Sequence, residues 1–268
     1  MPSKTRILNL LILAMLAWGC STVPLTDRSQ LQLIPTGQIL SLSADQYRQF
    51  LSEHKVITGT TQAAMVKRVG ENIRRAVEAY LTEKGYSDLL ADYAWEFNLV
   101  ADDSANAFAM PGGKVVVFQG ILKITQDDAG LATVMGHEIA HAIARHGNER
   151  MSQGLISQLG GVALGLALNS QPQQTQQLFM SAYGMGTQVG VLLPYSRLQE
   201  SEADRLGLTF MSLAGYDPRE AVDFWRRMEA QAGKGEAPPE FLSTHPSHET
   251  RINDLQEQMP EALKNFRR

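Results

Sequence analysis

The chain has 268 residues, of which 44% are hydrophobic and 19% are charged. This composition is typical of a globular protein with one sizeable core and excludes a largely disordered or fibrous chain. The formal net charge is −4 and the basic residues are scattered, which argues against a nucleic-acid-binding protein. The single cysteine, Cys20, excludes an intrachain disulfide.

The first twenty residues have the layout of a secretory signal. Lys4 and Arg6 precede an apolar run over residues 7–16, which is too short to span a bilayer comfortably. Cys20 follows closely, and a lone cysteine at this place resembles the lipid-modified cysteine of bacterial lipoproteins. The sequence therefore predicts a lipoprotein signal peptide over residues 1–19. The alternative is a plain signal peptide followed by an incidental cysteine.

Lipidation of Cys20 would anchor the chain to a membrane, because several acyl chains together give stable binding. The polar, turn-rich residues that follow predict a lipid-anchored tether over residues 20–40. Ser21, directly after the cysteine, resembles the sorting pattern of outer-membrane lipoproteins. We therefore expect a lipid-anchored protein of the bacterial periplasm, at the outer membrane.

Hydrophobic periodicity predicts two helices next, a short one over residues 41–55 and a clearly amphipathic one over residues 62–84. Three extended segments follow, over residues 93–99, 106–110 and 114–118, and predict a small antiparallel sheet. An edge strand beside an active site can bind an extended peptide through main-chain hydrogen bonds, although an ordinary hairpin is the alternative. The candidates for contact with a substrate strand are Asn106, Ala107 and Phe108.

Residues 137–141 form an H-E-x-x-H motif inside an apolar, helix-forming stretch. On a helix, His137 and His141 lie on one face about one turn apart, where two imidazoles can bind one metal ion. Glu138 can reach a water on that metal without being a ligand itself. Two nitrogen ligands beside a general base are typical of a zinc hydrolase.

A later helix, predicted over residues 196–211, supplies acidic side chains. Catalytic zinc sites keep three protein ligands and leave the fourth position to water, and two histidines with one glutamate form such a set. Glu200 and Glu202 compete for this role on spacing alone. Asp204 lies one turn after Glu200 and could hold a ligating imidazole through its free N–H.

Near the C-terminus, His245 and Arg251 are further candidates. A histidine followed by proline could point into the site, and a basic residue could stabilise negative charge on a reacting carbonyl oxygen. His245 could instead bind the metal as a fourth ligand and hold the enzyme shut.

The H-E-I-A-H motif, the E-S-E-A-D segment and the late T-H-P…R segment together resemble one family, over about residues 62–255. It is the family of zinc metallopeptidases that includes the CAAX prenyl endoprotease and the HtpX heat-shock protease. The resemblance is closest to the small bacterial lipoprotein members and the mitochondrial Oma-type proteases. The N-A-F-A-M-P-G-G stretch also resembles the segment before the metal helix in that family.

This resemblance implies roles for individual residues. His137 and His141 match the two zinc histidines, Glu138 matches the catalytic base, and Glu200 matches the third ligand in preference to Glu202. The implied fold is α+β and mainly α, a helical zincin-type metallopeptidase domain over residues 41–268. It has a small antiparallel sheet next to the H-E-x-x-H helix and one Zn²⁺ per chain.

The expected function is that of a cell-envelope metalloendopeptidase. Its substrates would be unfolded, misfolded or misassembled envelope proteins, so that it acts in protein quality control. The alternative is a lipid-anchored periplasmic chaperone or binding module with a structural zinc. Glu138 argues against that alternative, because a purely structural site needs no general base.

Overall fold

The computed structural model describes residues 20–159, 164–185, 195–233, 239–246 and 250–266. The predicted signal peptide therefore lies outside the described residues. The helices are α1 (Thr36–Glu53), α2 (Thr61–Glu83), α3 (Leu122–Thr125), α4 (Asp128–Ile143), α5 (His146–Leu159), α6 (Leu164–Ser170), α7 (Pro172–Ala182), α8 (Arg197–Leu213), α9 (Glu220–Ala232), α10 (Glu240–Thr244) and α11 (Arg251–Asn265). The strands are β1 (Cys20–Thr22), β2 (Ser29–Leu31), β3 (Val56–Ile57), β4 (Glu96–Val100), β5 (Ala107–Met110) and β6 (Lys114–Phe118).

Helix α4, which contains the H-E-x-x-H motif, is the central element. The Asp127 side chain caps it by accepting a hydrogen bond from the backbone N–H of Gly130. Every residue from position 130 to 143 is buried, so α4 has no solvent face. A helix that is apolar or buried all round belongs to the interior of a domain. The motif is therefore held in the core and not at the surface.

Helices α4 and α8 cross at two glycines. A Cβ atom on Gly207 would lie 3.0 Å from the backbone nitrogen of His137, and one on Gly136 would lie 3.1 Å from the carbonyl oxygen of Gly207. Glycine at both positions lets the two backbones touch. This contact brings the acidic helix directly against the motif helix.

The four-stranded sheet has the order β3-β4-β6-β5. The pairings β3–β4 and β5–β6 are antiparallel as expected, but the central pairing β4–β6 is parallel and corrects the expectation of a purely antiparallel sheet. After β4 the chain crosses to the far edge to form β5. A tight turn with positive φ at Gly112 and Gly113 then returns β6 to the middle.

The sheet is covered on both faces. Val115 and Val117 of β6 belong to the main core with α4, whereas Val116 and Phe118 belong to a second apolar cluster with α1. The predicted fold class, α+β and mainly α with a small sheet beside the motif helix, is confirmed. Within the described part of the chain, no helix combines the length and the apolar character needed to cross a bilayer.

The segment predicted as a tether, residues 20–40, differs from that prediction. It contains the β1–β2 hairpin and the start of α1, and Val23 is fully buried in the main core. Arg28 forms ion pairs with Glu149 of α5 and Glu202 of α8. Because these contacts fix the hairpin to two helices, it is an integral part of the fold.

We expect Gly207→Val to destabilise the protein by about 1–3 kcal/mol, because the added side chain overpacks the α4–α8 contact. Gly165→Val is the matched control, since a Cβ atom at Gly165 meets nothing within 4 Å. It should change the free energy of unfolding by at most about 0.5 kcal/mol. Urea denaturation followed by circular dichroism measures both. Equal stabilities of the two variants would contradict the close contact.

Candidate metal centre

Four buried side chains converge where α4, α8 and the segment after α10 meet. One ligand atom each from His137, His141, Glu200 and His245 lies within 4.8 Å of the other three. The Nε2 atom of His141 is 3.0 Å from Nε2 of His137 and 3.2 Å from Oε1 of Glu200. The structure thus brings together the three predicted ligands.

His245 lies in the same cluster. Its Nδ1 atom is 3.2 Å from Nε2 of His137 and 3.0 Å from Oε1 of Glu200. Its Nε2 atom is 3.3 Å from Oε1 of Glu138. His245 therefore occupies the place of a fourth ligand, between the other ligand groups and the predicted base.

This donor set fits a zinc ion. Imidazole nitrogens and a carboxylate oxygen are the ligands that Zn²⁺ takes in catalytic sites. The Glu138 carboxyl group is buried beside them, and its Oε1 atom makes no hydrogen bond of good geometry within the described residues. A buried carboxyl oxygen that lacks a well-formed hydrogen bond next to a ligand cluster is a mark of a reactive site.

The pKa values of the two glutamates shift in opposite directions, although burial disfavours charge on both. Desolvation raises the pKa of Glu138 to about 8, a value suited to a group that both accepts and returns a proton near neutral pH. Burial also disfavours charge on Glu200, but the neighbouring His245, Arg251 and His137 hold its pKa well below the usual range. Glu200 is therefore a charged carboxylate, as a metal ligand must be.

The two motif histidines also differ. Burial lowers the pKa of His137, but the carboxylates of Glu200 and Asp204 outweigh this effect and raise it to about 9. Burial lowers the pKa of His141 well below its usual value, although Glu200 acts in the opposite direction. His141 is therefore neutral and has a nitrogen lone pair available for a metal.

Asp204 and Arg251 form a layer behind the ligands. The Nδ1 atom of His137 lies 2.9 Å from Oδ1 of Asp204. Arg251 donates from Nη1 to Glu200 and from Nη2 to Asp204, both at 2.7 Å. Its guanidinium lies 3.5 Å from the ring centroid of Trp225. Since both outer nitrogens are engaged, Arg251 is arranged to hold the carboxylates and not to contact a substrate carbonyl.

Two residues that the sequence analysis did not single out also contact His141. The ring of Tyr195 stacks on it with a centroid distance of 3.8 Å, and Nδ1 of His146 lies 2.8 Å from Nδ1 of His141. The signal for His146 was present in the sequence as a third histidine five residues after the second. Glu202, weighed as a ligand, contacts His146 at 2.9 Å.

The remaining predicted sites lie apart from the cluster. Strand β5 is the edge of its sheet, as expected, but the side chains of Asn106, Ala107 and Phe108 are all buried. These residues could therefore contact a substrate strand only through the backbone groups at the sheet edge, and this contact stays a prediction. The backbone of Cys20 pairs with Leu31 in the β1–β2 hairpin, and its lipidation also stays a prediction.

Comparison with known proteins gives a family match. The sequence pattern of peptidase family M48 matches residues 67–259. The mitochondrial metalloendopeptidase OMA1 of Schizosaccharomyces pombe is 34% identical over 90% of this chain and 66% of its own length. The Saccharomyces cerevisiae enzyme of the same name is 32% identical over 93% of this chain and 74% of its own length. The beta-barrel assembly-enhancing protease of Escherichia coli is 32% identical over 60% of this chain.

These matches confirm the predicted resemblance and correct the predicted location. The chain spans 66% of the length of the S. pombe relative and 33% of the length of the E. coli relative. The relatives that match 90% or more of the chain are named mitochondrial enzymes. The prediction of a bacterial periplasmic protein at the outer membrane is therefore wrong.

We expect Arg251→Met to destabilise the metal-free protein by about 3–5 kcal/mol, because Glu200 and Asp204 would be left as buried carboxylates without their cation. Arg226→Met is the control, since Arg226 pairs with Asp223 at the surface and such pairs contribute at most about 1 kcal/mol. Guanidinium denaturation in the presence of a chelator measures both. A loss of stability no larger than that of Arg226→Met would contradict the role of Arg251 in holding the two buried carboxylates.

Proposed function

The chain belongs to peptidase family M48 and is a metalloendopeptidase, and we propose that its metal is zinc and its substrates are misfolded or misassembled proteins. The observation that supports this most directly is the convergence of His137, His141 and Glu200, with Glu138 buried beside them. Two imidazoles, one carboxylate and a neighbouring unligated carboxyl group form the set that zinc peptidases use.

His137, His141 and Glu200 would hold the ion. When bound, zinc supplies a Lewis acid that lowers the pKa of water and polarises the scissile carbonyl. Glu138 accepts the proton of the attacking water and delivers it to the leaving amine. Its buried Oε1 atom suits this exchange, because its 3.3 Å contact with Nε2 of His245 is not a hydrogen bond of good geometry. Asp204 orients the His137 ring, and Arg251 stabilises the charged form of Glu200.

His245 would have to withdraw before turnover. A catalytic zinc site needs one position open to water, and four protein ligands leave none. In this structure His245 lies within reach of both Glu200 and Glu138, so it blocks the space between ligands and base. We therefore propose that this arrangement is a closed form of the enzyme. Once displaced, His245 is also the candidate to stabilise the oxyanion.

The names of the relatives support the substrate class and the setting. The E. coli relative is named for enhancing the assembly of β-barrels, which favours substrates that have failed to assemble. The names of the fungal relatives favour a mitochondrial setting. A chaperone with a structural zinc is not favoured, because such a site would not require Glu138.

We expect Glu138→Gln to lower the rate of casein cleavage by about 10²–10⁴-fold, the usual contribution of a general base, while zinc content stays at one per chain. Glu257→Gln makes the same change of charge at an exposed position and should cleave normally. Cleavage is followed by fluorescence release from labelled casein, and zinc by atomic absorption. A Glu138→Gln variant that cut at the normal rate would rule out the mechanism.

We expect chelation to abolish cleavage without unfolding the protein. The main apolar core contains none of the four cluster side chains, so the far-ultraviolet circular dichroism spectrum should be unchanged. Added zinc should then restore cleavage. The structural-zinc alternative makes the opposite prediction, because loss of a structural metal unfolds a domain that depends on it.

A further inference from the structure

The two motif histidines are held from behind by different groups. His137 faces Asp204 directly, through Nδ1. His141 faces a second histidine, with its Nδ1 atom 2.8 Å from Nδ1 of His146. The Nε2 atom of His146 lies 2.9 Å from Oε2 of Glu202. In a histidine that binds a metal through one ring nitrogen, the hydrogen-bond partner of the other nitrogen usually fixes the tautomer and the orientation of the ring. His146 is positioned to do this for His141.

The hydrogen bonds define where the protons lie. A carboxylate only accepts, so an uncharged His146 carries its proton on Nε2 and donates it to Glu202. Its Nδ1 atom is then an acceptor, and His141 donates from its own Nδ1. The Nε2 lone pair of His141 is left free, on the side that faces His137 and Glu200. The reverse proton arrangement would place a hydrogen on that nitrogen and prevent ligation.

Glu202 is itself held by the N-terminal hairpin. Arg28 donates from Nε to Glu202 at 2.8 Å, and the Thr26 hydroxyl donates to the other carboxylate oxygen. The same guanidinium donates from Nη1 and Nη2 to the two oxygens of Glu149, at 3.1 and 2.9 Å. His146 is fully buried beneath these groups. The loop between β1 and β2 therefore ends a continuous series of contacts that starts at the ligand cluster.

We propose that His146 is a positioning residue for the metal centre. Supported by Glu202 and Arg28, it fixes the tautomer of His141 that can bind the metal, and it thereby makes metal affinity depend on the N-terminal hairpin. The proposal rests on the proposed function, because it requires His141 to be a zinc ligand. His146 is not part of the ligand cluster itself.

The competing explanation is a buried polar network that only stabilises the fold. It predicts a loss of stability on substitution without a specific change in zinc affinity. Glu202 and Glu149 separate the two explanations, because both are buried carboxylates bound by Arg28 and only Glu202 contacts His146. A change from Glu to Gln at each position removes the same charge from the same arginine.

The experiment measures the zinc dissociation constant of the full chain by competition with a chromogenic chelator. His146→Ala should weaken zinc binding by about 10–100-fold. His146→Asn should retain most of the affinity, because its amide oxygen can accept from Nδ1 of His141. Glu202→Gln should weaken zinc binding, whereas Glu149→Gln should bind zinc as the unaltered protein does.

Each outcome has one interpretation. If the unaltered protein binds no zinc, the proposed function fails. If it binds zinc and His146→Ala binds equally tightly, the positioning role is wrong. Equal losses of zinc affinity in Glu202→Gln and Glu149→Gln would indicate a general destabilisation of the fold and would also overturn the positioning role. Denaturation of the zinc-free proteins verifies that each variant folds. If His146→Ala does not fold, the zinc affinities of His146→Asn, Glu202→Gln and Glu149→Gln test the positioning role.

Discussion

The crossing of α4 and α8 sets the geometry of the whole centre. Gly136 and Gly207 let the two backbones approach until they touch, and this distance places Glu200 within 3.2 Å of His141. Larger side chains at the crossing would separate the helices and leave the carboxylate out of reach. The contact with α8 covers one side of the motif helix, and α2, α9 and β5 pack against it as well, so it is buried all round. The candidate metal centre is thus built in the core of the domain and not on a surface loop.

Burying so many charged groups has a large desolvation cost, and the structure offsets it by pairing. Glu200 and Asp204 share Arg251, whose face is covered by Trp225. Glu138 is the exception, because no arginine of the described residues binds it, and burial raises its pKa to about 8. Glu200 and Asp204 are thus paired with a cation, whereas Glu138, the predicted base, has only the 3.3 Å contact with His245 besides its buried surroundings.

The two ends of the described chain meet at this centre. Arg251 begins the last helix and binds Glu200 and Asp204, while Arg28 lies in the first hairpin and binds Glu202. Three acidic side chains of α8 are therefore held by two arginines that are remote from each other in sequence. Arg251 is linked to His137 through Asp204, and Arg28 is linked to His141 through Glu202 and His146. The N-terminal segment and the C-terminal helix thus support opposite sides of one cluster.

The sequence by itself determined what local spacing can determine. Positions four apart share a helix face, so His137 and His141 predicted a metal site with Glu138 as its base, and the same argument placed Glu200 and Asp204 together. Spacing did not separate Glu200 from Glu202, because residues two apart on a helix point in different directions and the sequence does not show which one faces the motif helix. The family resemblance was needed. Only the tertiary structure showed that Glu202 contacts His146 and that His245 lies among the predicted ligands. It also showed that the β4–β6 pairing is parallel. Those outcomes depend on how distant elements pack, which is set by the shape of the assembled core and is not encoded in any short stretch of residues.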